Sequence, residues 1–148
     1  MKRRTFLVLA AGTAGLGLWR GALAQSPLPK VVVPKNAGCG CCGEWEKHLR
    51  GAGFSVESHE LADVTPVKRR LGVPPALQSC HTATVGGYVV EGHVPAEDLK
   101  RLLRERPPVR GLAVPGMPIG APGMEVGPPE PYSTIAFDAA GSRVFARH

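Results

Sequence analysis

The apolar positions fall into short runs that glycine and proline interrupt. Val31-Val32-Val33, entered from Lys30 and closed by Pro34, has the β-branched density of a short buried strand. Trp45, His48, Leu49 and Ala52 then recur at helical spacing, so Glu44 to Arg50 reads as a helix. Its acids (Glu44, Glu46) stand at the start, its bases (Lys47, Arg50) later, and Gly51 or Gly53 can end it. Phe54 to His59 alternates as a strand does. Thr65 is placed to cap a short helix that opens with Pro66 and stops at Gly72. Past the break at Pro74-Pro75, Cys80 to Val85 and Tyr88 to Gly92 read as two strands joined by a Gly86-Gly87 turn. Pro95 opens another helix, with Leu99, Leu102 and Leu103 facing inward, that ends at Pro107-Pro108. Val109 to Pro131 reads as an ordered loop wrapped on the domain. Ser133 to Asp138 and Arg143 to Ala146 form a closing hairpin.

This order, β-(cysteine turn)-α-β-α-β-β-α, predicts an α/β fold: one thioredoxin-like domain over residues 25–148, with an added Gly/Pro/Met-rich loop and a C-terminal hairpin. Pro75 then takes the position beside the cysteine turn that such folds often give to a cis proline.

Residues 1–24 read as a separate segment. Lys2, Arg3 and Arg4 precede an apolar run from Phe6 to Leu18, and Ala22-Leu23-Ala24 supplies a small-x-small cleavage site. The segment is a secretory signal, too short for a comfortable membrane span. Arg3-Arg4-Thr5-Phe6-Leu7 resembles a twin-arginine export signal, and an ordinary secretory signal with two arginines fits it equally. Either route predicts a periplasmic location. Cleavage also changes the charge, because residues 1–24 carry Lys2, Arg3, Arg4 and Arg20 and no acid. The net charge falls from +6 to +2, which removes the basic field a nucleic-acid partner would need. No later stretch is apolar for long enough to anchor the cleaved chain in a membrane.

The chemistry concentrates in sulfur. Cys39-Gly40-Cys41-Cys42 packs three thiols into four residues where a strand hands over to a helix, and the flanking glycines let the backbone turn tightly enough for them to converge. A helix N-terminus favours thiolate, the form that binds metal or attacks a disulfide. Two long-range structural disulfides fit poorly, since only Cys80 lies outside the turn and at most one bridge can leave it. Cys80-His81 is the second half of the constellation. Several sulfurs with an imidazole select copper(I) or zinc over hard cations. His81 is either a ligand or a hydrogen-bonded surface residue. His93, at a strand-to-helix junction, either caps that helix or reaches the metal. Met117 and Met124 share one loop; thioether suits copper(I) better than zinc, although both also read as apolar plugs. His48 and His59 are expected at the surface or in the core, His148 at a mobile chain end. Trp45 either shields the site or simply packs the core.

The Cys-Gly-Cys-Cys turn followed by Trp45, Cys80-His81-Thr82, Gly92-His93-Val94-Pro95, and the loop from Gly111-Leu112-Ala113-Val114-Pro115-Gly116-Met117-Pro118 to Pro122-Gly123-Met124-Glu125 together resemble the CopG-type copper-resistance proteins, a periplasmic metal-binding family long described as a domain of unknown function. The resemblance covers nearly all of residues 25–148. It implies a thioredoxin-like fold, copper bound by the clustered cysteines, a role in copper tolerance and redox activity toward copper. Two functions follow. The first is a copper(I)-binding protein whose metal ligands are drawn from Cys39, Cys41, Cys42, Cys80, His81, His93, Met117 and Met124, with other copper-handling proteins of the periplasm as partners. The second is a thiol-disulfide oxidoreductase using Cys39 and Cys42. Cys41 separates them, because a dithiol enzyme needs two cysteines and a third invites metal. A structural zinc domain fits less well, having no use for surplus thiols and thioethers.

Overall fold

A computed structural model describes residues 27–148, so the signal segment lies outside the described residues. The chain forms β1 (Val31–Asn36), α1 (Gly40–Gly51), β2 (Val56–Leu61), α2 (Thr65–Arg70), a 3-10 turn (Pro75–Leu77), β3 (Thr82–Val85), β4 (Tyr88–Glu91), α3 (Ala96–Glu105), β5 (Gly111–Ala113), β6 (Ser133–Phe137) and β7 (Ser142–Arg147). The strands make one seven-stranded sheet in the order β2-β1-β3-β4-β5-β6-β7. β1 pairs parallel with β2 and β4 with β5, each pair joined through a helix, α1 and α3 respectively. The remaining neighbours are antiparallel, with β3 and β4 closed by the Gly86-Gly87 turn.

Strand alternation divides the core between two faces. Val31, Val33, Ala83, Val85, Val90, Leu112 and Ala136 meet Trp45 and Leu49 of α1 and Leu99 and Leu102 of α3. Their neighbours Val89, Ala113 and Phe137 pack instead with Val73, Leu71 and Leu77, around the end of α2. The architecture is therefore a single mixed α/β domain with a seven-stranded sheet and three helices among the described residues. None of these helices is long and apolar enough to cross a membrane.

Several boundaries differ from the sequence reading. α1 begins at Gly40, not Glu44, so Cys41 and Cys42 lie in its first turn and Cys39 is the N-cap. The amide of Gly43 already donates to the Cys39 carbonyl at 3.4 Å, a helical bond that a run of glycines disguises in sequence. Thr65 is the first helical residue of α2 rather than its cap. Val64 is the N-cap, and the Asp63 carboxylate accepts from the Thr65 amide at 2.9 Å. β3 starts at Thr82, two residues late, because His81 makes only an isolated bridge with Lys35. The expected loop from Val109 contains β5, a three-residue strand that extends the sheet between β4 and β6. Pro75 opens a 3-10 turn, and no peptide bond among the described residues is cis.

Candidate metal centre

Three junctions meet at one end of the sheet. The β1–α1 junction supplies Cys39, Cys41 and Cys42, the segment before β3 supplies Cys80 and His81, and the β4–α3 junction supplies His93. Cys39 and Cys42 are joined as a disulfide, while Cys41 and Cys80 are free thiols. The Cys41 sulfur lies 3.7 Å from that of Cys39 and 3.9 Å from that of Cys80. The Cys42 and Cys80 sulfurs are 3.8 Å apart. Cys80 thus folds back onto the trio, 38 residues from Cys42 in sequence.

The same sulfur also belongs to a second group. His81 Nδ1 stands 3.2 Å from Cys80 Sγ and His93 Nε2 stands 3.0 Å from it. One ligand atom from each of Cys39, Cys41, Cys42 and Cys80, and likewise from Cys80, His81 and His93, falls within 4.8 Å of the others in its group. Cys80 joins a sulfur arm to an imidazole arm.

The hydrogen bonds fix which atoms are available. The carbonyl of Pro122 can only accept, so His93 Nδ1 carries the proton that it donates there at 2.7 Å. Nε2 then presents its lone pair to the Cys80 thiol, the arrangement of a second bond that orients an imidazole ligand. His93 therefore faces the cysteines. The helix cap comes instead from His48, whose Nε2 accepts from the Ala96 amide at 3.1 Å, a task that was not expected of it. His81 is completely buried, and its Nε2 has no hydrogen-bond partner. Trp45 packs on the His81 ring at 4.3 Å between centroids and donates from Nε1 to the Val94 carbonyl at 2.9 Å. It both fills the core and walls the site.

Burial sets the protonation. Desolvation, with the Cys41 sulfur close by, pushes the Cys80 thiol up to about 12. Its proton must leave when a metal arrives. Burial also depresses both imidazoles, His81 far below the ordinary value of 6.5 and His93 less so, since Pro122 and Glu125 oppose the effect. A histidine with a lowered folded value binds its proton more readily when unfolded. Its stabilising contribution is complete above about pH 6.5 and is lost as the pH falls toward the folded value. Metal-free protein carrying His81→Phe should accordingly lose less stability than the wild type between neutral pH and about pH 5, as read by thermal unfolding.

The methionines lie on the loop that lids the site. Met117 is 52% exposed and Met124 half-buried. Their neighbours make the contacts. Ser79 Oγ donates to the Gly116 carbonyl, Pro122 holds His93, and Gly123 lies on the backbone of α1. Gly123 has φ +83°, and a Cβ there would come within 2.7 Å of the Trp45 amide nitrogen, so only glycine lets the loop close on the cysteine helix. His59 is on the surface beside Glu57, 2.8 Å away. His148 is not a loose end. It lies 2.9 Å from Asp98, stacks on Tyr132 and exchanges two backbone hydrogen bonds with it.

One supporting group had no sequence signal. Glu91 is fully buried at the end of β4, accepting from Lys68 Nζ at 2.5 Å, the Ser79 amide at 2.6 Å and Thr82 Oγ1 at 2.6 Å. Burial raises its carboxyl, while the Lys68 ammonium and the two other donors pull it back. Charged residues 23 positions apart carry no period that would announce their meeting.

A mixed α/β domain that gathers sulfur and imidazole around one cysteine has the donor set of a soft-metal protein. The comparisons place it more closely. Two solved structures, described as copper resistance protein CopG, form 2 and form 1, share 47% and 46% identity with the chain. They cover 83% and 82% of this chain and 99% and 98% of their own, with TM-scores of 0.78 and 0.77. A sequence family described as a protein of unknown function, DUF411, matches residues 77–124, the stretch from Leu77 through Cys80 and His93 to Met124. No curated protein matches the chain. The chain belongs to the CopG copper-resistance family.

Proposed function

We propose that the protein is exported to the periplasm and contributes to copper tolerance by binding copper(I). With the Cys39–Cys42 bridge reduced, Cys39, Cys41, Cys42 and Cys80 supply thiolates, His81 and His93 supply imidazole nitrogens, and Met117 and Met124 offer thioethers from the loop above. The observation that carries this reading is the position of Cys80, within 3.9 Å of Cys41 and 3.0 Å of a neutral imidazole nitrogen. The donors fit a soft ion. They exceed the four that structural zinc takes, and His81 Nε2 is buried with no partner inside the protein. Partners are the metal ion and other copper-handling proteins of the same compartment. A strand feeding cysteines into the start of a helix supports a thioredoxin-like ancestry, from which the trans Pro75 and the appended β5–β7 depart.

Anaerobic titration of reduced protein with copper(I) against a competing chelator tests this. Saturable binding strong enough to strip the chelator is expected, together with its collapse in a Cys39→Ser/Cys42→Ser double variant. Equal binding by that variant contradicts the proposal.

The Cys39–Cys42 disulfide favours a second reading, thiol-disulfide exchange. A dithiol substrate would pass two electrons and two protons to the bridge, leaving Cys39 and Cys42 as thiols and the substrate as a disulfide. Robust insulin reduction by metal-free reduced protein would favour it; the copper reading expects little turnover.

A further inference from the structure

We propose that Glu91, held by Lys68, is a positioning residue for the copper site: it sets the spacing between Cys80 and His93 and so connects the imidazole arm to the sulfur arm. This inference rests on the copper-binding reading and adds to it residues that touch no metal ligand through their side chains.

A single carboxylate grips both sides of Cys80. Glu91 Oε1 accepts from the amide of Ser79, the residue before Cys80, at 2.6 Å. Oε2 accepts from the hydroxyl of Thr82, two residues after Cys80, at 2.6 Å. The arc Ser79-Cys80-His81-Thr82 is therefore pinned at its two ends to one side chain. That side chain also belongs to the strand end that runs directly into Gly92-His93. The amide of Gly92 closes the arrangement by donating to the His81 carbonyl at 3.0 Å. Little slack remains between the two segments. Gly92 has φ +71°, and a Cβ on it would meet the Ser79 Cβ and the Val114 carbonyl oxygen at 2.6 Å. The 3.0 Å approach of Cys80 Sγ to His93 Nε2 spans this junction.

Lys68 completes the clamp from α2, on the face of the sheet that Glu91 and Thr82 share. Its ammonium reaches Glu91 Oε1 at 2.5 Å and Thr82 Oγ1 at 3.0 Å, with both charged groups buried. Stability alone is a weak reason for such a pair, because desolvating two ions can cost as much as their attraction returns. What it supplies is direction. The carboxylate is committed to three donors at fixed angles, and an apolar pair of equal volume would not hold Ser79 and Thr82 in place.

Two variants test the clamp. Glu91→Gln leaves the Lys68 ammonium without its anion, and Thr82→Val removes the two bonds of one hydroxyl, to Glu91 and from Lys68, at nearly constant shape. Copper(I) alone is the metal probe, and a metal-free readout accompanies it: the rate at which iodoacetamide alkylates Cys80, followed on the Cys80 peptide by mass spectrometry. Glu91→Gln should weaken copper(I) binding roughly tenfold or more, the loss typical of an outer partner of a metal ligand. It should reduce the copper–nitrogen scattering in X-ray absorption and speed Cys80 alkylation several-fold without metal. Thr82→Val should shift each readout the same way by a smaller factor. Wild-type alkylation rates, affinity and copper–nitrogen signature in folded Thr82→Val and Glu91→Gln, with only the melting temperature lowered, would show a merely structural role and overturn the proposal. Should Glu91→Gln fail to fold, Thr82→Val decides by the same readouts. Should the wild type itself bind no copper(I), the copper reading falls, and the alkylation rates still decide whether Glu91 positions Cys80.

Discussion

Replacing Cys80 with serine should cost more copper(I) affinity than any other single substitution in the pocket. Cys80 is the one donor common to the sulfur group and the imidazole group. Serine oxygen is hard, stays protonated at neutral pH and binds copper(I) poorly. The loss should exceed the roughly 10–100-fold that follows removal of an outer partner of a metal ligand. The fold should survive, since a serine hydroxyl can still donate to His93 Nε2. Cys41→Ser gives the contrast. Cys41 approaches Cys39 and Cys80 but is not part of the imidazole group, so its loss leaves the imidazole arm attached. Competition titrations on the two variants, with circular dichroism to show that both are folded, check the ranking. Equal losses would mean that the two arms are not linked through Cys80.

Trp45→Ala should be the most destabilising change at the site. Trp45 is fully buried between sheet and helices, lies against the His81 ring and donates its indole N–H to Val94. Removing a buried indole costs about 3–5 kcal/mol through lost transfer energy and the cavity left behind. For a domain of this size that corresponds to a fall of roughly 10–20 °C in melting temperature. Trp45→Phe keeps most of the apolar contact and loses the N–H, leaving the Val94 carbonyl without its donor, and should cost only about 1–2 kcal/mol. Thermal unfolding of the metal-free proteins measures both. A loss in Trp45→Ala no larger than in Trp45→Phe would show that the ring is not packed as described.

Local patterns made much of this legible in the sequence. The β-branched run at Val31, the helical spacing through Trp45 and Leu49, and the Gly86-Gly87 turn each carry a period or a turn residue that physics reads directly. Cys80 next to His81 was legible as the distant partner of the Cys39 turn because the chain must return past Pro74-Pro75 to reach the sheet. Other features were hidden for physical reasons. β5 has three residues, too few to show alternation, and exists because β4 and β6 offer it hydrogen bonds on both sides. The helical state of Gly40 to Gly43 runs against glycine's own preference and is imposed by the elements around it. The sequence leaves His93 open, since a histidine before a helix either caps it or turns to a ligand. The decision lay with Pro122, 29 residues onward in a loop with no period. The Glu91–Lys68 pair and the Asp98–His148 contact are long-range meetings of polar groups, and no single segment encodes them.

X-ray absorption at the copper edge of anaerobically loaded, reduced protein tests the central claim most directly. The account predicts copper(I) surrounded mainly by sulfur, with a nitrogen contribution that disappears when His93 and His81 are both replaced. A first shell of nitrogen and oxygen alone, unchanged when Cys80 is replaced, would contradict it.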